Sequence, residues 1–222
     1  LLDYTLNFAA VTEQKSGIMY AVNGLSGLYP GRFSLQPYYM KIQEYTNIES
    51  RDLWEYQLRL STAALDRLVR HTWELGEASF PYYFLNRNCS YQLLPLLEAA
   101  EPSLRLAPER PFWVIPVNTV RVVVKHPGLV EEVHYRPSRL ERERRDRKSL
   151  FGPVQTPPPP DSGHATARVG LGGGTSRGSG FMEVEARGAL HDLLDPPEGY
   201  TDDSQFEMGS LRVRQRPGEG RA

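Results

Sequence analysis

Five of the eleven residues in Pro153-Val-Gln-Thr-Pro-Pro-Pro-Pro-Asp-Ser-Gly163 are proline. Each proline fixes φ and lacks a backbone N–H, so this stretch suits neither a helix interior nor a paired strand, and an extended polyproline path remains. It therefore divides the 222-residue chain into residues 1–150 and 164–222, with 151–163 as a stiff linker. The length allows a real hydrophobic core. A formal net charge of −1 provides no global basic field, so no nucleic-acid partner is expected. No apolar run approaches the roughly 20 residues of a membrane-spanning helix. The chain opens on Leu1 without a secretory signal and reads as a fragment of a longer or processed chain.

Before the linker the patterning is mixed, which predicts an α+β class. Tyr38, Met40 and Ile42 alternate over 38–46, and Trp54, Tyr56, Leu58 and Leu60 over 52–60. Period two predicts two half-buried strands, paired antiparallel through a turn at Asn47–Arg51. Ser61 is placed to cap a helix running to about Leu75, with Ala64, Leu65, Leu68, Thr72 and Trp73 on one face and Gly76 as its C-cap. Val120–Lys125 reads as a short buried strand ended by His126-Pro127-Gly128. The run Arg136–Lys148, with seven basic and three acidic residues, reads as a solvated helix end or a contact for an anionic lipid surface. Beyond the linker, residues 164–171, 181–187 and 205–214 alternate polar and apolar between glycine-rich turns. That fits outer-membrane barrel strands as well as a sandwich. Three strands are too few to close a barrel, so a barrel here would be truncated at Ala222.

The single cysteine, Cys89, lies where the aromatic run Phe80–Phe84 gives way to an apolar, helix-like run over 89–99. A cysteine at a helix start meets unpaired N–H groups and the positive end of the helix dipole, which favour its nucleophilic form. The same N–H groups can hold an oxyanion. Pro95 lies beyond the first turn of such a helix and is expected to kink or shorten it. A thiol nucleophile needs a base. His126, at the end of the valine-rich strand 120–125, is the possible in-chain base; His71 reads as solvent-facing, His134 as an ordinary strand residue, and His164 and His191 lie beyond the linker. A lone cysteine and scattered histidines show no metal-ligand spacing, so no metal site and no cofactor is expected. Gly170–Gly174 has no lysine and no following helix, so it is not a phosphate loop.

Asn88-Cys89-Ser90-Tyr91 followed by Leu93-Leu94 resembles the Lnb N-terminal periplasmic domain family. So do Leu6–Ala10, Gly24-Leu-Ser-Gly27-Leu-Tyr-Pro-Gly31, Tyr38–Tyr45 and Glu49–Tyr56, in that order, covering roughly residues 3 to 140. His191-Asp-Leu-Leu-Asp-Pro196 with Gly199-Tyr200 looks like the barrel-type region that often follows in proteobacterial members. The resemblance implies a circularly permuted papain-like fold, related to NlpC-type peptidases and lecithin–retinol acyltransferase. In that order the catalytic histidine precedes the cysteine, in a Gly-His motif upstream of the Asn7 segment, which this chain begins too late to contain. His126 is demoted accordingly.

The better characterised members are apolipoprotein N-acyltransferases. By that resemblance Cys89 takes an acyl chain from a phospholipid as a thioester and passes it to the terminal amine of a lipoprotein. The expected location is the periplasm, at the outer membrane. Asn88 supports the oxyanion or the helix start, and Tyr82, Tyr83 and Phe84 line an acyl groove. Two alternatives use the same residues differently: a cysteine peptidase or amidase, and a non-enzymatic outer-membrane scaffold.

Overall fold

The computed structural model describes residues 3–12, 16–109, 111–176, 178–201 and 204–215, in two compact units, Leu1–Thr156 and Pro157–Ala222. The class is α+β, with antiparallel sheets in both units.

In the first unit β1 (Tyr4–Ala10), β2 (Tyr29–Pro37) and β4 (Ser79–Tyr82) form one sheet in the order β1-β2-β4. Helix α1 (Gly17–Ser26) links β1 to β2 and ends at Gly27, whose φ of 76° is left-handed. Helix α2 (Tyr38–Ile42) continues as a π-helical turn, Gln43–Ile48. A second sheet pairs β3 (Leu53–Leu58) with β5 (Val130–Arg136). The remaining helices are α3 (Thr62–Glu74), α4 (Leu93–Ala100), α5 (Pro116–Lys125) and α6 (Arg139–Ser149).

Two hydrophobic clusters hold this unit, and α4 stands between them. Leu94 joins Leu104, Leu106 and Leu129, whereas Leu96 joins Phe8 and Phe33. Pro95 causes no kink. The helix begins at Leu93, four residues later than the apolar run suggests, so Pro95 falls in the first turn, where its missing N–H would have had no partner.

The Ser61 cap is present: its hydroxyl accepts from the Ala64 N–H at 3.1 Å. The buried side of α3 differs from the expected one, because Trp73 is 86% exposed while Leu68 and Leu75 pack on the core. Gly76 is not a left-handed C-cap; it lies inside a 3-10 turn, Leu75–Glu77, that tightens the helix end. Two expected strands are helices. Over 38–48 the inward positions Tyr38, Ile42 and Thr46 recur every fourth residue, and the Thr46 hydroxyl bonds back to the Ile42 carbonyl at 2.7 Å. Consequently β3 pairs with β5, and not with 38–46. Over 116–125, Pro116 at the helix start and the inward packing of buried Thr119 and half-buried Val123 one turn apart outweigh the strand preference of the valines. The charged run forms α6, capped by Ser138 and laced by Arg144 and Arg145 pairs with Glu141.

The glycine motif has a steric cause. A side chain at Gly24 would fall within the ring of Phe84, at Gly27 within Tyr83, and at Gly31 within Phe8. Three aromatic rings thus lie directly on bare backbone.

The second unit is a meander of β6 (Arg168–Ser176), β7 (Ser179–His191) and β8 (Phe206–Gln215). No closed barrel is present among the described residues. One face carries Val169, Leu171, Met182, Val184, Leu211 and Val213, all exposed; the other carries a ladder in which Glu183 and Glu185 pair with Arg212 and Arg214. The end of the proline run is held within this unit: Gly199, at φ 77°, lies against Gly163 and the Pro159 carbonyl.

Gly27→Ala is expected to lose roughly 2–3 kcal/mol of unfolding free energy, from overpacking against Tyr83 and a strained φ. Gly76→Ala, which meets no atom, should stay within about 0.5 kcal/mol of the parent. Urea denaturation of the two variants checks this.

Candidate active site

Strand β4 ends at Tyr82, and the chain then turns twice before α4, carrying Cys89 on the second turn. The first turn is anchored from outside itself. The Phe84 N–H donates to the Gly24 carbonyl at 2.9 Å, and the Val114 N–H donates to the Leu85 carbonyl at 2.6 Å. Phe84 also contacts the Tyr20 ring at 5.0 Å and Tyr29 at 6.3 Å.

Asn88 organises the second turn. It is 7% exposed, and its amide hydrogens go to the carbonyls of Val114 (2.9 Å) and Phe84 (3.4 Å). Its Oδ1 accepts from the Tyr91 N–H at 3.2 Å and the Ser90 hydroxyl at 2.9 Å. An asparagine is favoured here because its carbonyl and amide can close a turn on both sides at once. Both donors are engaged with backbone, so Asn88 acts on the turn leading into α4. Thr119, on the first half of α5, donates to the Ser90 hydroxyl at 3.2 Å and ties that helix to the same turn.

Cys89 is an exposed, free thiol. It lies in the turn before α4 and not on the helix itself, so the first helical N–H groups come a turn later than its sequence position suggests. Its own N–H donates to the Tyr82 hydroxyl oxygen at 3.2 Å. Burial, then the neighbouring Cys89 side chain, push the Tyr82 phenol up to about 12. The Tyr82 ring stacks on Phe8 at 5.7 Å, which fixes where that oxygen sits. Tyr82 is therefore a polar neighbour of the cysteine as well as an aromatic wall. Nothing in its sequence context distinguishes it from Tyr83, whose ring covers Gly27.

His126 lies at the C-cap of α5, and not at the end of a strand. It lies seven positions after Thr119, about 10 Å at the helical rise. Its Nδ1 is buried without a hydrogen-bond partner. Among the described residues no histidine is hydrogen-bonded to Cys89. His71 faces Glu74 and His134 faces Glu132. No helix among the described residues is long and apolar enough to cross a membrane.

Residues 1–126 match the family model of the Lnb N-terminal periplasmic domain, and residues 157–220 match that of a domain of unknown function (DUF7840). No curated protein matches the chain, and no solved structure does. The first match spans more than half of the sequence, so the chain belongs to the Lnb N-terminal periplasmic domain family and is an envelope protein with a periplasmic domain.

A phenol whose folded value lies above its ordinary value near 10 contributes stability below pH 10 and loses it as pH rises towards 12. Unfolding free energy is expected to decline over that interval, and to decline less steeply in Tyr82→Phe; chemical denaturation from pH 8 to 12 measures both slopes.

Proposed function

We propose, from the premise of a periplasmic Lnb-type domain, that this protein is a thiol-dependent acyltransferase of the bacterial envelope. The supporting observation is the Cys89 turn: an exposed thiol on backbone held by Asn88, Tyr82, Val114 and Gly24. Such rigidity suits a nucleophile that must meet a carbonyl carbon in one orientation.

In the proposed reaction the Cys89 sulfur attacks the ester carbonyl of a phospholipid. The tetrahedral intermediate collapses with the lysophospholipid alcohol as leaving group, and its oxygen takes up the proton lost by the thiol. A lipoprotein's terminal amine then attacks the thioester, forms an amide, loses a proton and returns the thiol. A thioester splits one difficult transfer into two easier ones. The family resemblance assigns the base to a Gly-His histidine upstream of the Asn7 segment. Tyr82 accepts the Cys89 N–H, which leaves its own O–H able to donate; with its proton held to about pH 12, it is suited to the oxyanion. Tyr82, Tyr83 and Phe84 would border the acyl chain.

Outer-membrane association is part of the reading. The second unit's sheet exposes apolar side chains across all three strands and confines its charges to the other face, the alternation used against lipid. Phospholipid would then be both the substrate and the surface on which the protein rests.

Mass spectrometry of the full-length protein incubated with phospholipid vesicles is expected to find a hydroxylamine-labile acyl adduct on Cys89. The adduct should be absent in Cys89→Ala and formed about 100-fold more slowly in Tyr82→Phe. Amide cleavage without any acyl adduct would favour a peptidase, and an unreactive thiol would favour a scaffold. Leu171→Arg, on the apolar sheet face, is expected to shift the full-length protein out of the outer-membrane fraction without altering the melting of the first unit; cell fractionation with thermal denaturation tests that.

A further inference from the structure

Sequence spacing predicts no metal site, yet the fold of the second unit brings three potential ligands together. His164 precedes β6, His191 closes β7, and Asp195 lies in the following loop. One ligand atom from each falls within a sphere where all pairs are 4.8 Å apart or less. His164 Nε2 is 2.9 Å from His191 Nδ1 and 3.8 Å from Asp195 Oδ2. Around a tetrahedral ion with bonds of about 2.0 Å, neighbouring ligand atoms are roughly 3.3 Å apart. The two His164 spacings bracket that value and the third pair lies within 4.8 Å, so small side-chain rotations would bring the three groups onto one ion.

The surroundings fix these groups as outer contacts of a metal centre do. His164 Nδ1 lies 2.8 Å from the Ala165 carbonyl, which can only accept, so the proton is on Nδ1 and the lone pair on Nε2 points at the cluster. Asp195 is held by Arg168 through Oδ1, while Oδ2 accepts from the Asp192 N–H at 3.0 Å and keeps lone-pair capacity towards His164. His191, 4% exposed, stacks on Tyr200 at 3.8 Å, and the Tyr200 hydroxyl donates to the His164 carbonyl at 3.2 Å. Gly199 and Gly163 meet too closely for side chains, which lets Tyr200 close over the pair. The side chains of His164 and Asp195 are 18% and 9% exposed.

We propose that His164, His191 and Asp195 bind one divalent transition-metal ion of the zinc type, with a coordination position left for water. Two imidazoles and one carboxylate suit zinc, and a set with so few oxygens does not suit calcium or magnesium. Binding requires the His191 Nδ1 proton to move to Nε2 or leave, since that nitrogen is the donor to His164 in the metal-free pair. The ion would clip the start of β6 to the end of β7 and the loop beyond it. This site is independent of the Cys89 chemistry.

The test is calorimetric titration of the full chain, stripped with EDTA, using Zn2+ alone. One ion per chain at micromolar affinity or tighter is expected, with at least tenfold weaker binding in His164→Gln and in Asp195→Asn and no change in His134→Gln. Excess Mg2+ or Ca2+ should not displace the ion. Zinc-edge X-ray absorption of the unmodified protein should count two imidazoles, oxygen and no sulfur, and it decides the matter should a variant not fold. No stoichiometric binding, unchanged affinity in either variant, or a sulfur ligand from Cys89 would overturn the assignment.

Discussion

Aromatic rings resting on bare glycine backbone are the contact on which the first unit depends. Gly31 admits the Phe8 ring, Phe8 stacks on Tyr82, and the Tyr82 oxygen receives the Cys89 N–H. Gly24 admits Phe84 and also lends its carbonyl to the Phe84 N–H. The position of the thiol is thus set by a stack running from the β1–β2 sheet outward. Phe8, at the centre of the stack, is buried, and interiors packed at that density transmit displacement because they cannot absorb it. The glycines of the 24–31 motif serve this packing as much as any turn, and their effect reaches Cys89 without touching it.

Much of this could be read in the sequence, unevenly and for physical reasons. Local signals worked where neighbouring residues decide a local geometry: Ser61 caps α3, and the alternation beyond Gly163 gives β6, β7 and β8. They failed where two periods share the same residues. Tyr38, Met40 and Ile42 fit period two, but Tyr38, Ile42 and Thr46 fit a helix, and the long-range burial of Thr46 decided between them. At Val120–Val124 propensity favoured a strand, and packing of Val123 against the leucine cluster that includes Leu94 prevailed. Of the site, Cys89 and Asn88 were visible because both lie in one short segment. Tyr82 was singled out only as an aromatic groove residue; its polar contact gave no sign, since it rests on a hydroxyl meeting a backbone N–H seven residues later. His164, His191 and Asp195 escaped because their approach is made by strand register and a loop, with no motif spacing to betray it.

The two units solve the problem of modest hydrophobic content differently. The first buries leucines and aromatics in two clusters bridged by α4. It reinforces its second sheet with polar contacts: Arg136 and Tyr38 both meet Glu55, and Asp52 accepts from Tyr135 and the Ser138 N–H. Burial works against ionisation of Glu55, but the Arg136 and Tyr38 hydrogen bonds outweigh it and hold the carboxyl below its ordinary value. The second unit has little enclosed apolar volume. Its order comes from cross-strand ion pairs on one face and from the aromatic and imidazole stack around Tyr200.

The way Cys89 is held carries a consequence for how the chain acquires its shape. The partners of its turn come from before and after it in sequence: Gly24 and Phe8 on one side, and Val114 and Thr119 on the other. Contacts of such long range form only after the intervening loops have closed, and that closure is slow compared with the formation of α3 or α6. The Cys89 turn therefore acquires its geometry later than these helices do. Chain collapse precedes this arrangement, and a partly folded molecule presents the thiol without its hydrogen-bonded frame.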